Sequence, residues 1–443
     1  MERSRGDSRN AYERDYDRIL FSSAFRRLQN KTQIFPLPEH KLVHNRLTHS
    51  LEVVQVGRSL AHRVGEVLST RIDYTREKEA HTFFERQLPS VIAAACLAHD
   101  LGNPAFGHAG EEALSQYFLQ RQHEKSFRAC FGQAEWADLI QFEGNANAFR
   151  ILTHQYPYRP EGGFQPTFST LAALIKYPCE SLGRQKRAGK HRSKYGFFQS
   201  DRGAFEKLTE QLPFRADSQE PLAYFRHPFV YLTEAADDIC YLITDYEDAH
   251  RLGLLSYPTI RADFLSLLDH LPEGRADEVQ TKVQHYEPDH NEAVAYLRAK
   301  CISALVEACR EVFLCHEQEL LQGCFVGSLM DHLAEAKPAL QHIQGRSKDH
   351  IYRQESVLKI ELAGFKIMSG LVGAFTEAVL CVPEQRHREQ EQLLSLIPAQ
   401  FIPRPEYSDY EKVMLILDFT SGMTDNYALE LYRNLSGISL PHL

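Results

Sequence analysis

His99 and Asp100 stand together at the polar end of an apolar stretch, Val91–Ala98, and lead into the run Leu101-Gly102-Asn103-Pro104-Ala105-Phe106-Gly107-His108. A neutral imidazole and a carboxylate are both good ligands for a divalent ion. Taken alone the doublet could equally be a helix C-terminus carrying an incidental charge, so its company decides. His49 lies beside the apolar Leu47/Leu51 edge of an earlier helical pattern, and Asp237 and Asp238 interrupt the otherwise apolar word Ala235-Ala236-Asp237-Asp238-Ile239-Cys240-Tyr241. Unpaired buried carboxylates are costly, so acids inside such a run call for a cation or a hydrogen-bond donor. Three helices, each offering His or Asp beside an apolar face, can converge on one ion and leave positions open for water and substrate.

The elements that must position these groups are helices. Leu47, Leu51, Val54, Leu60, Val64, Val67 and Leu68 recur near helical spacing between Arg46 and Ser69. A second helix is expected from about Ser90, after Pro89, ending near Gly102-Asn103-Pro104, where glycine and proline disfavour continuation. Further helices are read at 111–121, 137–153, 229–252, 291–320, 327–342, 354–382, 386–396 and 408–435, and strand signals are few. The fold class is all-α. Two segments depart from the pattern. Tyr156–Thr167, rich in Pro and Gly, reads as an ordered loop or short hairpin, and Arg184–Lys194, with six Lys/Arg in eleven residues, reads as a solvated loop. No tandem repeat or composition shift forces a cut, so residues 1–443 are read as a single large helical domain with a metal-binding core at 46–250 and a helical extension at 251–443.

Composition narrows the class. The 443 residues are 43% hydrophobic and 25% charged, ordinary globular values. The longest apolar run in the first hundred residues, Val91–Ala98, is far below the roughly 18 a membrane span needs, and the start, with Arg3, Arg5, Arg9 and Arg14, has no apolar signal core. A cytoplasmic protein with no membrane partner is expected. Nine scattered cysteines without a C-x-x-C pair indicate neither a disulfide framework nor a thiolate zinc site. The net charge of -9 argues against a whole-protein basic footprint, so any polyanion must be bound locally.

The ordered set His49, His99-Asp100 and Asp237 resembles the H…HD…D signature of HD-domain metal phosphohydrolases. The longer words Arg46–Val53, His99–Glu111, Glu143-Gly144-Asn145-Ala146, Glu234–Tyr241 and Gly422-Met423-Thr424-Asp425-Asn426-Tyr427-Ala428 are similar to the deoxyguanosine triphosphate triphosphohydrolase (dGTPase) branch, over about Phe25 to Leu435. Its members cleave a dNTP to a deoxynucleoside and inorganic triphosphate. Ala105 replaces a proline frequent in the family, a change the loop should absorb.

The resemblance implies metal ligands at His49, His99, Asp100 and Asp237. Asp237 is preferred to Asp238 because it lies one helical turn before Tyr241, so carboxylate and tyrosine would share a face. His108 and Glu111 look like the family's catalytic pair, an imidazole with a carboxylate to orient and charge it. Lys176 and Lys194 sit in words resembling phosphate-holding segments, and Arg46 would lie on the metal-facing side of its helix. By similarity Gln33, in Thr32-Gln33-Ile34-Phe35, together with Tyr241 and Asp245 would recognise the deoxyribose. His44, Glu143, Asn145, Asp425 and Tyr427 are expected around the pocket wall.

Two His and two Asp suit Mn, Fe, Co, Ni, Zn or Mg. The expected substrate is a dNTP of unspecified base, and the resemblance implies a homo-oligomer, a hexamer in the family. Two other readings stay open: an HD-type nucleotidase or phosphodiesterase, and a regulatory module that binds a nucleotide effector or grips single-stranded DNA through Arg184–Lys194.

Overall fold

Asn45 starts the helix on which the candidate ligands depend. In a computed structural model, which describes residues 9–34, 43–157, 162–272 and 274–439, this helix runs Arg46–Thr70. Asn45 Oδ1 accepts from the Thr48 N–H at 3.0 Å and Thr48 Oγ1 from the Asn45 N–H at 3.1 Å, a reciprocal cap that satisfies two N–H groups otherwise left unpaired. The next helix of the site, Leu88–Ala98, has Pro89 in its first turn and buries every residue from Val91 to Ala98. A helix apolar on all sides has to be surrounded. The Arg46 helix, Ala11–Leu20, Phe168–Leu174 and Pro228–Arg251 all pack on it.

The turn after it leads into Gly107–Gln120. Gly102 lets Gly144–Thr153 close on that turn, since a Cβ there would lie 2.0 Å from the Gly144 carbonyl oxygen. Among the described residues the sheet content is one antiparallel hairpin, Ala216–Gln219 with Leu222–Tyr224, so the fold is all-α. The buried apolar residues form two clusters. One gathers the Arg46, Leu88 and Pro228 helices with residues out to Val357, and the other gathers Ala105 to Ala146 with Ile367 to Ala428.

Several expected helices divide, two of them at a capping side chain. The 137–153 pattern is Gln133–Leu139 and Gly144–Thr153, because the Glu143 side chain accepts from the Asn145 N–H. The 408–435 pattern is Asp409–Ser421 and Asp425–Leu435, with Thr424 Oγ1 accepting from the Tyr427 N–H. The 327–342 pattern becomes a short turn at Met330–His332 and a helix, Lys337–His350, with Pro338 in its first turn. The 291–320 pattern breaks between His290–Cys315 and Glu317–Leu321. Of the Tyr156–Thr167 loop, residues 158–161 lie outside the described residues, as do Arg3, Arg5 and Phe35.

The basic run is not a solvated loop. Lys190 pairs with Glu234 at 3.1 Å, Arg192 with Asp217 at 3.1 Å and Lys194 with Glu143 at 3.0 Å, and Arg184 donates to Gln141 at 3.0 Å. Lys186 and Arg187 stay exposed. The buried acids Glu234 and Glu143 draw Lys190 and Lys194 inward, while Arg192 is held by Asp217 and Arg184 by the Gln141 amide.

One ion network ties the Gly144 helix to the C-terminal helices. Arg150 Nε and Nη2 each donate to Asp418 at 2.8 Å, and Nη1 reaches Asp201 at 3.1 Å, with all three side chains buried. Removing the cation strands two buried carboxylates. Arg150→Ala is expected to destabilise the fold by about 3–5 kcal/mol, read as a lower urea midpoint at unchanged slope.

Candidate metal centre and adjoining pocket

His99 and Asp100 follow the last turn of the Leu88 helix, where unpaired carbonyls carry partial negative charge and favour a cation. His99 Nδ1 lies 2.7 Å from the Cys96 carbonyl oxygen, so it carries the proton and leaves Nε2 as a lone pair. That Nε2 is buried and has no hydrogen-bond partner. Ligand atoms of His49, His99 and Asp100 lie within 4.8 Å of one another. Asp237, from the Pro228 helix, places Oδ1 at 3.3 Å from His49 Nε2 and 3.4 Å from His99 Nε2. Two imidazoles, two carboxylates and an orphaned buried acceptor fit a divalent cation.

Counter-charges hold these acids ionised. Burial alone would raise the Asp100 carboxyl, but Arg46, whose Nη1 donates to Oδ2 at 2.7 Å, and the two imidazoles bring it down to about 2. Asn103 Nδ2 donates to the other oxygen at 2.5 Å. Burial likewise opposes Asp237 ionisation, and Lys176, at 2.6 Å from Oδ2, with His99 holds it well below the usual carboxylate range. Burial disfavours the His99 imidazolium, yet Asp100 and Asp237 push it up.

Beside this group is a cavity of about 290 Å³ whose lining includes Gln33, Arg46, Asp100, His108, Asp237, Tyr241 and Tyr352. Gln33 Oε1 is buried without a partner. Tyr241 and Tyr352 stack with ring centroids 5.8 Å apart and 9° between planes. Behind them Asp245 Oδ2 accepts from the Tyr352 hydroxyl at 3.1 Å.

An HD domain model matches residues 46–138, a span that holds three of the four candidate ligands. A deoxyguanosinetriphosphate triphosphohydrolase-like protein of Synechocystis sp. is 39% identical over 440 residues, covering 98% of this chain and 95% of the relative. One of Pseudomonas aeruginosa is 36% identical over 450 residues, with the same coverage. The chain belongs to this family. A Yersinia pestis protein named deoxyguanosinetriphosphate triphosphohydrolase is 29% identical over 496 residues, covering 96% of this chain and 93% of the relative.

The residues expected from the family words fall into three groups. His49, His99, Asp100, Asp237 and Arg46 come together, and Lys176 joins them through Asp237. His108 reaches the same cavity from the start of the Gly107 helix, and its recessed position with the cations Lys194 and Arg46 holds its pKa below the ordinary imidazole value. Glu111 makes no hydrogen bond to His108; its carboxylate accepts from the Gly144 N–H at 2.8 Å, and burial beside Glu143 raises it to about 7. Lys194 and Asn145 bind Glu143 at 3.0 and 2.7 Å, which gathers Glu111, Glu143 and Lys194 into a second charged group next to His108.

Others stand apart. Asp238 also lines the cavity, but it lies close to Glu234, and burial with that acid raises it to about 7. Asp245 is outside the lining. His44 pairs with Asp248 at 2.9 Å and Glu52 at 3.1 Å, while Tyr427 is exposed on the Asp425 helix. Sequence reasoning missed Tyr352, 107 positions from the acid it bonds, and Lys31, a buried lysine whose only signal is its place two residues before Gln33.

Asp100→Ala and His99→Ala are expected to lower divalent-metal affinity by at least about tenfold, measured by equilibrium dialysis and elemental mass spectrometry on protein with wild-type circular dichroism.

Proposed function

We propose that the chain is a metal-dependent dNTP triphosphohydrolase that releases deoxynucleoside and inorganic triphosphate. One observation carries the reading: the His49/His99/Asp100/Asp237 group adjoins a cavity that also presents Gln33, His108, Tyr241 and Tyr352. A divalent cation held there supplies charge neutralisation at phosphoryl oxygens.

In this reading Arg46, Lys176 and Lys194 hold the triphosphate. Arg46 and Lys176 already lie against Asp100 and Asp237, so the α-phosphate is drawn to the ligand end of the cavity. The Tyr241–Tyr352 pair supports the sugar, its hydroxyl bond to Asp245 keeps the Tyr352 ring in place, and the free Gln33 Oε1 accepts from the 3′-hydroxyl. A ring packed against C2′ leaves a ribose hydroxyl without room or partner. Water attacks the α-phosphorus, the bond from phosphorus to the 5′-oxygen breaks, and His108 gives that oxygen a proton. A bound triphosphate neutralises the Lys194 and Arg46 charges that depress His108, so binding raises its pKa and readies the acid.

Product analysis tests the reading. Each dNTP and GTP is incubated with Mn or Mg beside Asp100→Ala, and deoxynucleoside with intact triphosphate, lost in the variant, is the expected result. Monophosphate with pyrophosphate as the sole products would refute it. The proton-donor role has a signed consequence. Activity should fall as pH rises through the His108 pKa, and the apparent pKa read from kcat, which reports the substrate complex, should lie above that from kcat/KM, which reports the free enzyme.

The finer features belong to the same proposal. The donor set suits Mn, Fe, Co, Ni, Zn or Mg, and residues 46–250 form the metal-binding core with 251–443 as the extension. Leu358 and Leu362, one turn apart and exposed on the Glu355–Leu380 helix, support a homo-oligomer, a hexamer by family resemblance. Lys186 and Arg187 are the cations of the basic run open to a nucleotide effector or single-stranded DNA. The compartment we propose is the cytoplasm; among the described residues no helix is long and apolar enough to cross a membrane.

A further inference from the structure

Two groups that line the pocket, Gln33 and His108, come from segments far apart in the chain. Gln33 sits on the segment after Ser23–Arg27, and His108 follows the His99-Asp100 turn. No hydrogen bond joins the two side chains, so something else must set their separation.

A third segment does so. Asp425, the first residue of the Asp425–Leu435 helix, is 1% exposed. Its Oδ2 accepts from the Thr32 N–H at 2.9 Å, one residue before Gln33, and its Oδ1 accepts from the Phe106 N–H at 3.0 Å, two residues before His108. Both carboxylate oxygens are thus spent on backbone amides of residues that line the cavity, one beside Gln33 and one near His108. Phe106 is the position where a clamp is needed: its φ of 61° is the left-handed region, which a bulky side chain adopts only when its surroundings impose it. Gly364 supplies the other half of that restraint, since a Cβ there would lie 2.5 Å from the Phe106 Cβ.

A parallel strut runs beside the clamp. Lys31 Nζ donates to the Asn103 carbonyl at 2.5 Å and to the Ser421 carbonyl at 2.8 Å, again joining the Gln33 segment, the His-Asp turn and the C-terminal helices.

We propose that Asp425 is a positioning residue that fixes the span between the sugar end and the proton-donor end of the pocket. It touches neither substrate nor metal; it acts through the backbone of Thr32-Gln33 and of Phe106-Gly107-His108. This rests on the triphosphohydrolase reading for its kinetic consequences, though the clamp itself does not.

The test uses Asp425→Ala and Asp425→Asn in the full chain. A displacement of about 1 Å at a reacting group can cost about 100-fold in rate, so Asp425→Ala is expected to lose about that factor in kcat while binding metal as wild type does. Its preference for dGTP over GTP should fall by about tenfold, because Gln33 and His108 no longer keep a fixed distance. Asp425→Asn, which keeps one acceptor oxygen, should recover part of both losses. A merely structural role would lower the folded fraction without changing the deoxy-to-ribo ratio per folded molecule, and that result would overturn the proposal. If Asp425→Ala does not fold, the Asn variant carries the kinetic test alone. Amide exchange separates this proposal from the activity assignment: at least one of the Thr32 and Phe106 amides should exchange faster in Asp425→Asn while amides of the Leu88–Ala98 helix do not. Unchanged exchange at both amides refutes the clamp. Faster exchange with no dNTP turnover by wild type refutes the assigned reaction and leaves the clamp standing.

Discussion

Asp100 must stay ionised while buried against two imidazoles and a second carboxylate, and the neighbouring chain is organised around that requirement. An isolated buried carboxylate takes up a proton rather than bear the desolvation cost. Here the compensation is distributed: Arg46 comes from the first turn of its helix, Asn103 from the turn after the ligands, and Lys176 answers Asp237 from a third segment. Moving any one of these elements leaves a charge unpaired. The site and the helix packing are therefore not separable features, because Arg46 reaches Asp100 across 54 positions and Lys176 reaches Asp237 across 61.

The same arithmetic gives the pocket a direction. Arg46 and Lys176 are engaged by ligand carboxylates, and an incoming anion competes for cations that are already in place and need little reorganisation. Lys194 is shared between Glu143 and the neighbourhood of Glu111, so positive charge continues past His108. The same cavity also offers stacked tyrosine rings and an uncharged amide oxygen. A ligand with an anionic end and a less polar ring system has one favourable way to enter.

Much of this was legible in the sequence, and the part that was not has a common cause. The long helices announced themselves by period, and His49, His99-Asp100 and Asp237 by standing at polar interruptions of apolar faces. Helix breaks at Glu143 and Thr424 were missed because a capping side chain ends a helix without ending the hydrophobic pattern. The Arg184–Lys194 run looked solvated because its partners, Glu143, Asp217 and Glu234, are supplied by distant segments. Tyr352 escaped for the same reason: nothing local distinguishes it from a surface tyrosine, and its stacking partner and its hydrogen-bond acceptor both lie on the Pro228 helix.

The placement of the site between the two hydrophobic clusters explains why the C-terminal helices matter to chemistry performed by the first half of the chain. Leu101 belongs to the cluster built on the Leu88 helix, and Ala105, four residues later, belongs to the cluster built on the Glu355 and Asp409 helices. The His-Asp turn thus crosses from one core to the other. His99 and Asp100 are fixed by the first core and His108 by the second, so any relative displacement of the two changes the distance between the metal group and the imidazole. Packed cores shift as units rather than deforming smoothly. Control of that distance then falls to polar bonds that cross the seam, and Arg150–Asp418, Lys31–Ser421 and the Asp425–Thr32 amide bond all do so.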